Sequence, residues 1–409
     1  MEKVVITGMG AVTPVGNDVE TFWQSLKGGK CGIAPISAFD TTDFKVKVAA
    51  EVKDFDPTDY MDKREAKRMD RFCHFALAAA AQAVEQSGLK EGDFDPYRTG
   101  VFVGSGVGGL AVFETEMEKL LAKGPGRISP LCIPEMIGNM ASAHISMRFG
   151  FKGETFCPVS ACATGNHAIG EAMRAIRHGY QDVVLAGGTE ASIIRIAISG
   201  FQNMKALHVG DDPAAASIPF DARRSGFVMG EGAGVLVLES LSHAKARGAT
   251  ILAEVAGYGA SSDAYHITSP DPEGEGAALA MRRAIEDAGL TAADVNYINA
   301  HGTSTPLNEK YETIAIKKAF GEAAKTVKIS STKSMTGHLL GGAAAVEAIA
   351  CVCAIRDGVI PPTIGYQQPD PDCDLDITPN QAVQAPVNVA ISNSLGFGGH
   401  NATILLRKV

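Results

Sequence analysis

Ala83-Val84-Glu85-Gln86-Ser87-Gly88-Leu89 has a counterpart late in the chain, Ala284-Ile285-Glu286-Asp287-Ala288-Gly289-Leu290. Each ends an Ala-rich helical pattern on a glycine, a helix-stop signal. Each is followed by an acidic loop and an apolar strand pattern, Val101–Gly104 in one case and Val295–Asn299 in the other. Working outward, the agreement continues. The helical pattern headed by Cys162 is echoed by Thr336–Ile355, and the strand pattern Asp182–Ala186 by Val387–Ser392. A repeat this long is no solenoid; it predicts two similarly folded α/β halves, residues 1–250 and 251–409. Alternating strands and helices predict mainly parallel sheets covered on both faces. Residues 104–155 have no clear partner and are expected to form a cap insertion.

Composition narrows the function. The chain has 409 residues and 45 glycines, which are spread among apolar segments and suit tight turns and close backbone approaches. A net charge of −9 argues against a nucleic-acid protein, whose footprint would be basic. The eight cysteines include no C-x-x-C pair, so zinc-site spacing is absent and no metal is expected for the chemistry. Free thiols fit a reducing compartment. Met1–Thr7 enters a strand pattern without a signal peptide's regions, and no window approaches roughly twenty apolar residues. A cytoplasmic protein without a membrane span is expected.

Val159-Ser160-Ala161-Cys162-Ala163-Thr164-Gly165 sets a cysteine among small residues just before a helical pattern. A helix start favours thiolate, the nucleophilic form, while a buried packing cysteine is the bland alternative. Gly104-Ser105-Gly106-Val107-Gly108-Gly109 formally matches G-x-G-x-x-G after a strand. No second strand tipped by an acid follows it, so a dinucleotide site is discounted.

The second half adds two histidines. Asn299-Ala300-His301-Gly302-Thr303-Ser304-Thr305-Pro306 places one just past an apolar strand, where α/β proteins keep working groups. Thr332-Lys333-Ser334-Met335-Thr336-Gly337-His338 places another at an expected helix start, where the dipole favours neutral imidazole. Neutral imidazole can donate to a developing oxyanion. A cysteine and two histidines at matching strand ends suit acyl transfer through a thioester. Gly396-Phe397-Gly398-Gly399 is a glycine-lined loop able to offer N–H groups, with Phe397 either a gate or a core aromatic. Arg64, Lys67, Arg68 and Arg71 share one face if Asp62–Arg71 is helical. That face is either an acidic-partner dock or a solvated, salt-bridged surface.

Ser160–Gly165, Asn299–Pro306, Thr332–Gly341 and Gly396–Gly399, in this order, resemble the beta-ketoacyl-[acyl-carrier-protein] synthases, most closely the condensing enzymes of bacterial type II fatty-acid synthesis. The similarity covers essentially the whole chain. It implies the thiolase fold, two pseudo-duplicated halves in five αβαβα layers, as a homodimer. Cys162 would be the acylated nucleophile, with His301 and His338 supporting decarboxylation of malonyl-carrier protein and holding the enolate. Lys333 would organise the site through carboxylates, and the N–H groups of Cys162 and Phe397 would form an oxyanion hole. Thr303 and Thr305 match hydroxyls that contact the phosphopantetheine arm arriving on the carrier. Val107, His266 and Leu395 fall at acyl-pocket, rim and gate positions. Arg64, Lys67, Arg68 and Lys205 match the patch that docks acyl carrier protein. Some relatives bind a structural monovalent cation at positions matching Asn299, Ala300, Glu347, Ser392 and Asn393. Glu309 stands where the family usually has aspartate, and could re-route the Lys333 network with Glu312 sharing its role. Leu395 replaces a commoner phenylalanine.

Three other readings compete. A polyketide ketosynthase would use the same chemistry. A thiolase expects a second catalytic cysteine near His338. A non-catalytic chain-length subunit typically lacks the nucleophile that Cys162 supplies here.

Overall fold

The computed structural model describes residues 2–409. Ten strands join edge to edge, and their order outward from the middle is the same in both directions. On one side lie Val4–Val12, Gly232–Ser240, Val183–Glu190, Thr99–Gly104 and Thr155–Phe156. On the other lie Ala253–Ser262, His400–Arg407, Val389–Gly396, Tyr297–Asn299 and Lys328–Ser330. The two fives meet where Val4–Ile6 pairs antiparallel with Ala253–Val255. In each five the inner two pairings are antiparallel and the outer two parallel. The sheets are therefore mixed, where the strand–helix alternation predicts mainly parallel ones. The final strands form a tight hairpin through Gly396–Gly399, too short for the crossover a parallel pair needs, and the long segment after Val183–Glu190, which carries helix Arg195–Asn203, returns Gly232–Ser240 antiparallel to it.

Alternating side chains divide the interior into three cores. Val183 and Leu185 face one outer core with Phe72 and Phe75, while Val184 and Ala186 face the central core with Ile169 and Met173. Ile404 and Leu406 also face the central core, whereas Leu405 faces the opposite outer core with Met281 and Ile316. Helices Thr164–Arg177 and Ala343–Asp357 occupy the middle layer, and Arg71–Ser87 and Glu275–Asp287 the outer ones, giving the αβαβα order. Every residue of Ala343–Ile355 is buried, and all but Glu347 are apolar, as expected of a helix covered on all sides.

The duplicated stretch has one physical basis in both halves. Gly8 and Gly10 lie so close under the carbonyls of Ala83 and Ala79 that a Cβ would overlap them. Gly257 and Gly259 stand in the same relation to Ala284 and Ala280. Both helices then stop on a left-handed glycine, Gly88 at φ 66° and Gly289 at φ 67°.

Within residues 104–155, Leu110–Lys123 and Cys132–Met136 stand outside the layers. After a break at 137–139, helix Met140–Phe149 packs Ala141 and Ile145 into the outer core. No helix among the described residues is long and apolar enough to cross a membrane.

Candidate active site

Cys162 sits in the single turn Ala161–Ala163 that heads helix Thr164–Arg177. Ala161 adopts φ 51°, an unfavourable conformation for a residue with a Cβ, so the turn is sharp and strained. Gly396 permits the hairpin loop to lie directly on the Ser160 carbonyl, where a Cβ would collide. The N–H groups of Phe397 and of Cys162 itself both point at Sγ. Two donors converging on one sulfur form the pocket in which a carbonyl oxygen could develop charge.

His338 Nε2 lies 3.0 Å from Cys162 Sγ. The His301 and His338 rings meet edge to face with centroids 5.3 Å apart. One ligating atom of each of the three residues falls within 4.8 Å of the others, and all three are buried. His338 is not at a helix start as expected: the helix breaks into Lys333–Thr336 and a turn at Leu340–Gly342, leaving His338 on the loop between. Both imidazoles are held well below their usual pKa, first by burial and then by Lys333, with His338 adding to the effect on His301. They are neutral, for a reason other than the helix dipole. The thiolate expectation is overturned too. Burial pushes the Cys162 thiol up to about 12, and the opposing pull of Lys333 and the two N–H groups does not restore it.

Lys333 is buried and ion-paired with Glu347. Glu309 does not join that network. It pairs with Arg224 at 3.3 Å and accepts the Ser304 N–H, and burial lifts its carboxyl to about 7. Arg224, which the sequence reading passed over, also donates to the carbonyls of Thr305 (3.0 Å) and Pro306 (2.9 Å). Glu312 accepts the N–H groups of His301 (2.7 Å) and Gly302 (2.9 Å). The histidine loop is thus fixed from beneath by carboxylates and a guanidinium. The signal for these residues was Asn308–Glu312, a helix start carrying two carboxylates that the fold buries.

A cavity of about 530 Å³ opens onto Cys162, His301 and His338. Val107, Thr303, Thr305, Leu395 and Phe397 line it, and Lys205 stands at its wall. Phe397 is half-buried, its ring 6.3 Å from Phe201. His266 is outside the lining; its Nδ1 accepts the N–H groups of Thr268 and Ser269 at 3.1 Å, and those residues reach the cavity instead. The basic helix shrinks to Lys63–Ala66. Arg64, Lys67 and Arg68 are exposed, but Arg71 begins the next helix and turns to Glu231 at 2.9 Å. The G-x-G-x-x-G loop holds an anion of the protein's own. The carboxylate of Glu190 takes the N–H groups of Gly106 (2.8 Å) and Val107 (3.3 Å), so they are not free for a phosphate.

Comparison with known proteins agrees with this geometry. Residues 1–244 match the beta-ketoacyl synthase N-terminal domain and residues 252–367 the beta-ketoacyl synthase C-terminal domain. The chain is 51% identical over 408 residues to a 3-oxoacyl-[acyl-carrier-protein] synthase 2 of Synechocystis sp., covering 100% of this chain and 98% of the relative. A beta-ketoacyl synthase from Burkholderia phymatum superimposes with a TM-score of 0.93 at 33% identity, over 100% of both chains. The AntDE:AntF complex, a type II PKS acyl-carrier protein with its ketosynthase bound to the hexaketide, matches with a TM-score of 0.91 at 36% identity. That match covers 100% of this chain and 99% of the other. A buried cysteine from one half, two imidazoles from the other, and relatives aligned along the whole length lead to one conclusion: the chain belongs to the beta-ketoacyl synthase family.

Proposed function

We propose that this chain is the condensing enzyme of fatty-acid elongation, joining acyl- and malonyl-carrier protein into 3-oxoacyl-carrier protein with release of carbon dioxide and free carrier. The observation that carries the reading is the Cys162–His338 contact of 3.0 Å, set at the bottom of the cavity with His301 beside it. His338 Nε2 takes the Sγ proton as sulfur attacks the acyl thioester, which overcomes the high thiol pKa only at the moment of reaction. The N–H groups of Cys162 and Phe397 hold the tetrahedral oxyanion, and the carrier thiol leaves with the proton. Malonyl-carrier protein then enters, its arm against Thr303 and Thr305. Loss of carbon dioxide leaves an enolate whose oxygen is held by the N–H of neutral His301, joined by His338 once its ring proton has moved from Nδ1 to Nε2. The enolate carbon attacks the acyl carbonyl, the oxyanion returns to Cys162 and Phe397, and the Cys162 thiolate departs and takes from solvent the one proton that the overall reaction consumes. Lys333 and Glu347 set the charge behind the imidazoles.

The carrier protein would dock on Arg64, Lys67, Arg68 and Lys205, an exposed basic set on an acidic chain. Val107, Leu121, Ile133 and Val159 are exposed apolar side chains, which supports a homodimer contact. Eight free cysteines suit a reducing, cytoplasmic setting. A structural monovalent cation fits the residues present: Asn299 Oδ1, Glu347 Oε2 and Ser392 Oγ are buried oxygens without a hydrogen-bond partner, and oxygen donors suit an alkali ion. We place the division between the halves at residue 250. Incubating the purified protein with acyl- and malonyl-carrier protein tests the reading by mass spectrometry. Acyl-Cys162 should form with the first substrate alone and 3-oxoacyl-carrier protein with both; absence of acyl-Cys162 would overturn it.

A further inference from the structure

Glu190 ends the apolar strand Val183–Glu190 and is fully buried. Its two oxygens accept four donors from two separate segments. Oε1 takes the Ser105 hydroxyl (2.7 Å) and the Val107 N–H (3.3 Å). Oε2 takes the N–H groups of Gly106 (2.8 Å) and Gly341 (3.0 Å). Burial pushes the Glu190 carboxyl up, and all four contacts are donors aimed at it, which oppose that rise and favour the ionised form. Gly341 opens the buried helix Ala343–Asp357, where a negative charge meets the favourable end of the dipole.

Two glycines make this approach feasible. A Cβ on Gly106 would stand 2.7 Å from Glu190 Oε2, and one on Gly341 would overlap the Gly106 nitrogen. The segments so joined matter to the site. Val107 and Leu340 line the cavity beside Cys162, and His338 lies three residues before Gly341. Asn166, in the opposite direction, reaches from the first half to the carbonyls of Ser392 (2.9 Å) and Ala402 (3.2 Å). The seam is braced both ways, but only the Glu190 brace includes an acyl-cavity wall.

We infer that Glu190 is a positioning residue that fixes the Val107 wall of the acyl cavity to the His338–Gly341 loop, so that chain-length discrimination and thiol reactivity both depend on it. This rests on the condensing reading for the acyl chain, but not for the thiol. Its charge also faces Cys162, as do Lys333, neutral His301 and His338, and the two N–H groups, and it opposes thiolate formation.

Glu190→Gln keeps the shape but removes the charge and turns an amide NH2 against N–H donors. Ser105→Ala removes one donor outside the catalytic machinery. With Glu190→Gln, Cys162 alkylation by iodoacetamide at about pH 8 is expected to rise about tenfold. The kcat/KM for a long-chain acyl thioester is expected to fall about tenfold more than for a short-chain one, and Ser105→Ala to give the same split at smaller size. Thermal unfolding and circular dichroism establish that each variant is folded. An unchanged alkylation rate with equal losses for both chain lengths overturns the inference. Should Glu190→Gln not fold, an equal loss for both lengths in Ser105→Ala overturns it alone. Alkylation needs no carrier protein, so its outcome separates failure of this inference from failure of the condensing reading.

Discussion

Cys162 and His338 touch at 3.0 Å although each is carried by the equivalent segment of a different half, the turn or loop just before a central-layer helix. The cluster of Cys162, His301 and His338 exists only where the two halves meet. Cys162→Ala is therefore expected to abolish condensation. Cys162→Gln should also abolish it while leaving or raising malonyl decarboxylation, because the Gln amide oxygen can take the Cys162 and Phe397 N–H groups as an acyl group would. Product analysis by mass spectrometry and carbon dioxide release checks both. Full condensation by either variant would contradict the mechanism.

The thiol is the resting form. Its pKa is raised to about 12, so the thiolate fraction grows with pH throughout the accessible range. The His338 pKa is depressed, so no imidazolium forms near neutrality to stabilise a thiolate. Alkylation by iodoacetamide should climb steadily from about pH 6 to about pH 9 without a plateau. A plateau starting below about pH 7 would mean a thiolate–imidazolium pair instead.

The proposed docking of the carrier on the exposed basic residues predicts an effect on substrate capture and none on the chemistry. Reversing Arg64, Lys67 and Arg68 to Glu should raise KM for acyl-carrier protein by about tenfold or more, with use of a small acyl thioester nearly unchanged. Equal effects on both substrates would remove the docking surface.

The unpartnered oxygens of Asn299, Glu347 and Ser392 predict a cation dependence of stability. Melting temperature should rise by a few degrees, roughly 1–3 kcal/mol of stabilisation, when sodium or potassium replaces a bulky organic cation at equal ionic strength. Asn393→Ala should lessen the difference. Identical melting in all salts would exclude an ordered ion there.

Gly10→Ala and Gly259→Ala should each cost at least about 2 kcal/mol, since a Cβ at either position meets a helix carbonyl and not a movable side chain. Denaturant unfolding measures the loss. A loss below about 0.5 kcal/mol would mean that the outer helices can lift away.

The legible features were those written in local pattern. The glycine-stopped helices and the matching strands announced the duplication, and the small-residue setting of Cys162 and the strand ends of the two histidines marked the three side chains that the fold brings together. What sequence could not carry was depth. Burial, unseen in a linear string, reverses the expected ionisation of Cys162 and supplies the real reason for neutral His338. Partner choice was equally hidden. Glu309 could face either cation, and only the folded loop gives it to Arg224 and leaves Lys333 with Glu347. Glu190 was readable only as the polar end of a strand, because the loops it joins are far apart in sequence.

The glycine-on-alanine seats beneath the two outer helices have a mechanical consequence. Where side chains interdigitate, neighbouring layers can settle by exchanging rotamers; bare strand against helix carbonyl has no such slack. Gly8 with Gly10 and Gly257 with Gly259 therefore weld each outer helix to the strands that meet at the middle of the molecule. The block beneath the cavity is stiff, and whatever must yield to admit and release a long acyl chain is left to the tips that overhang it.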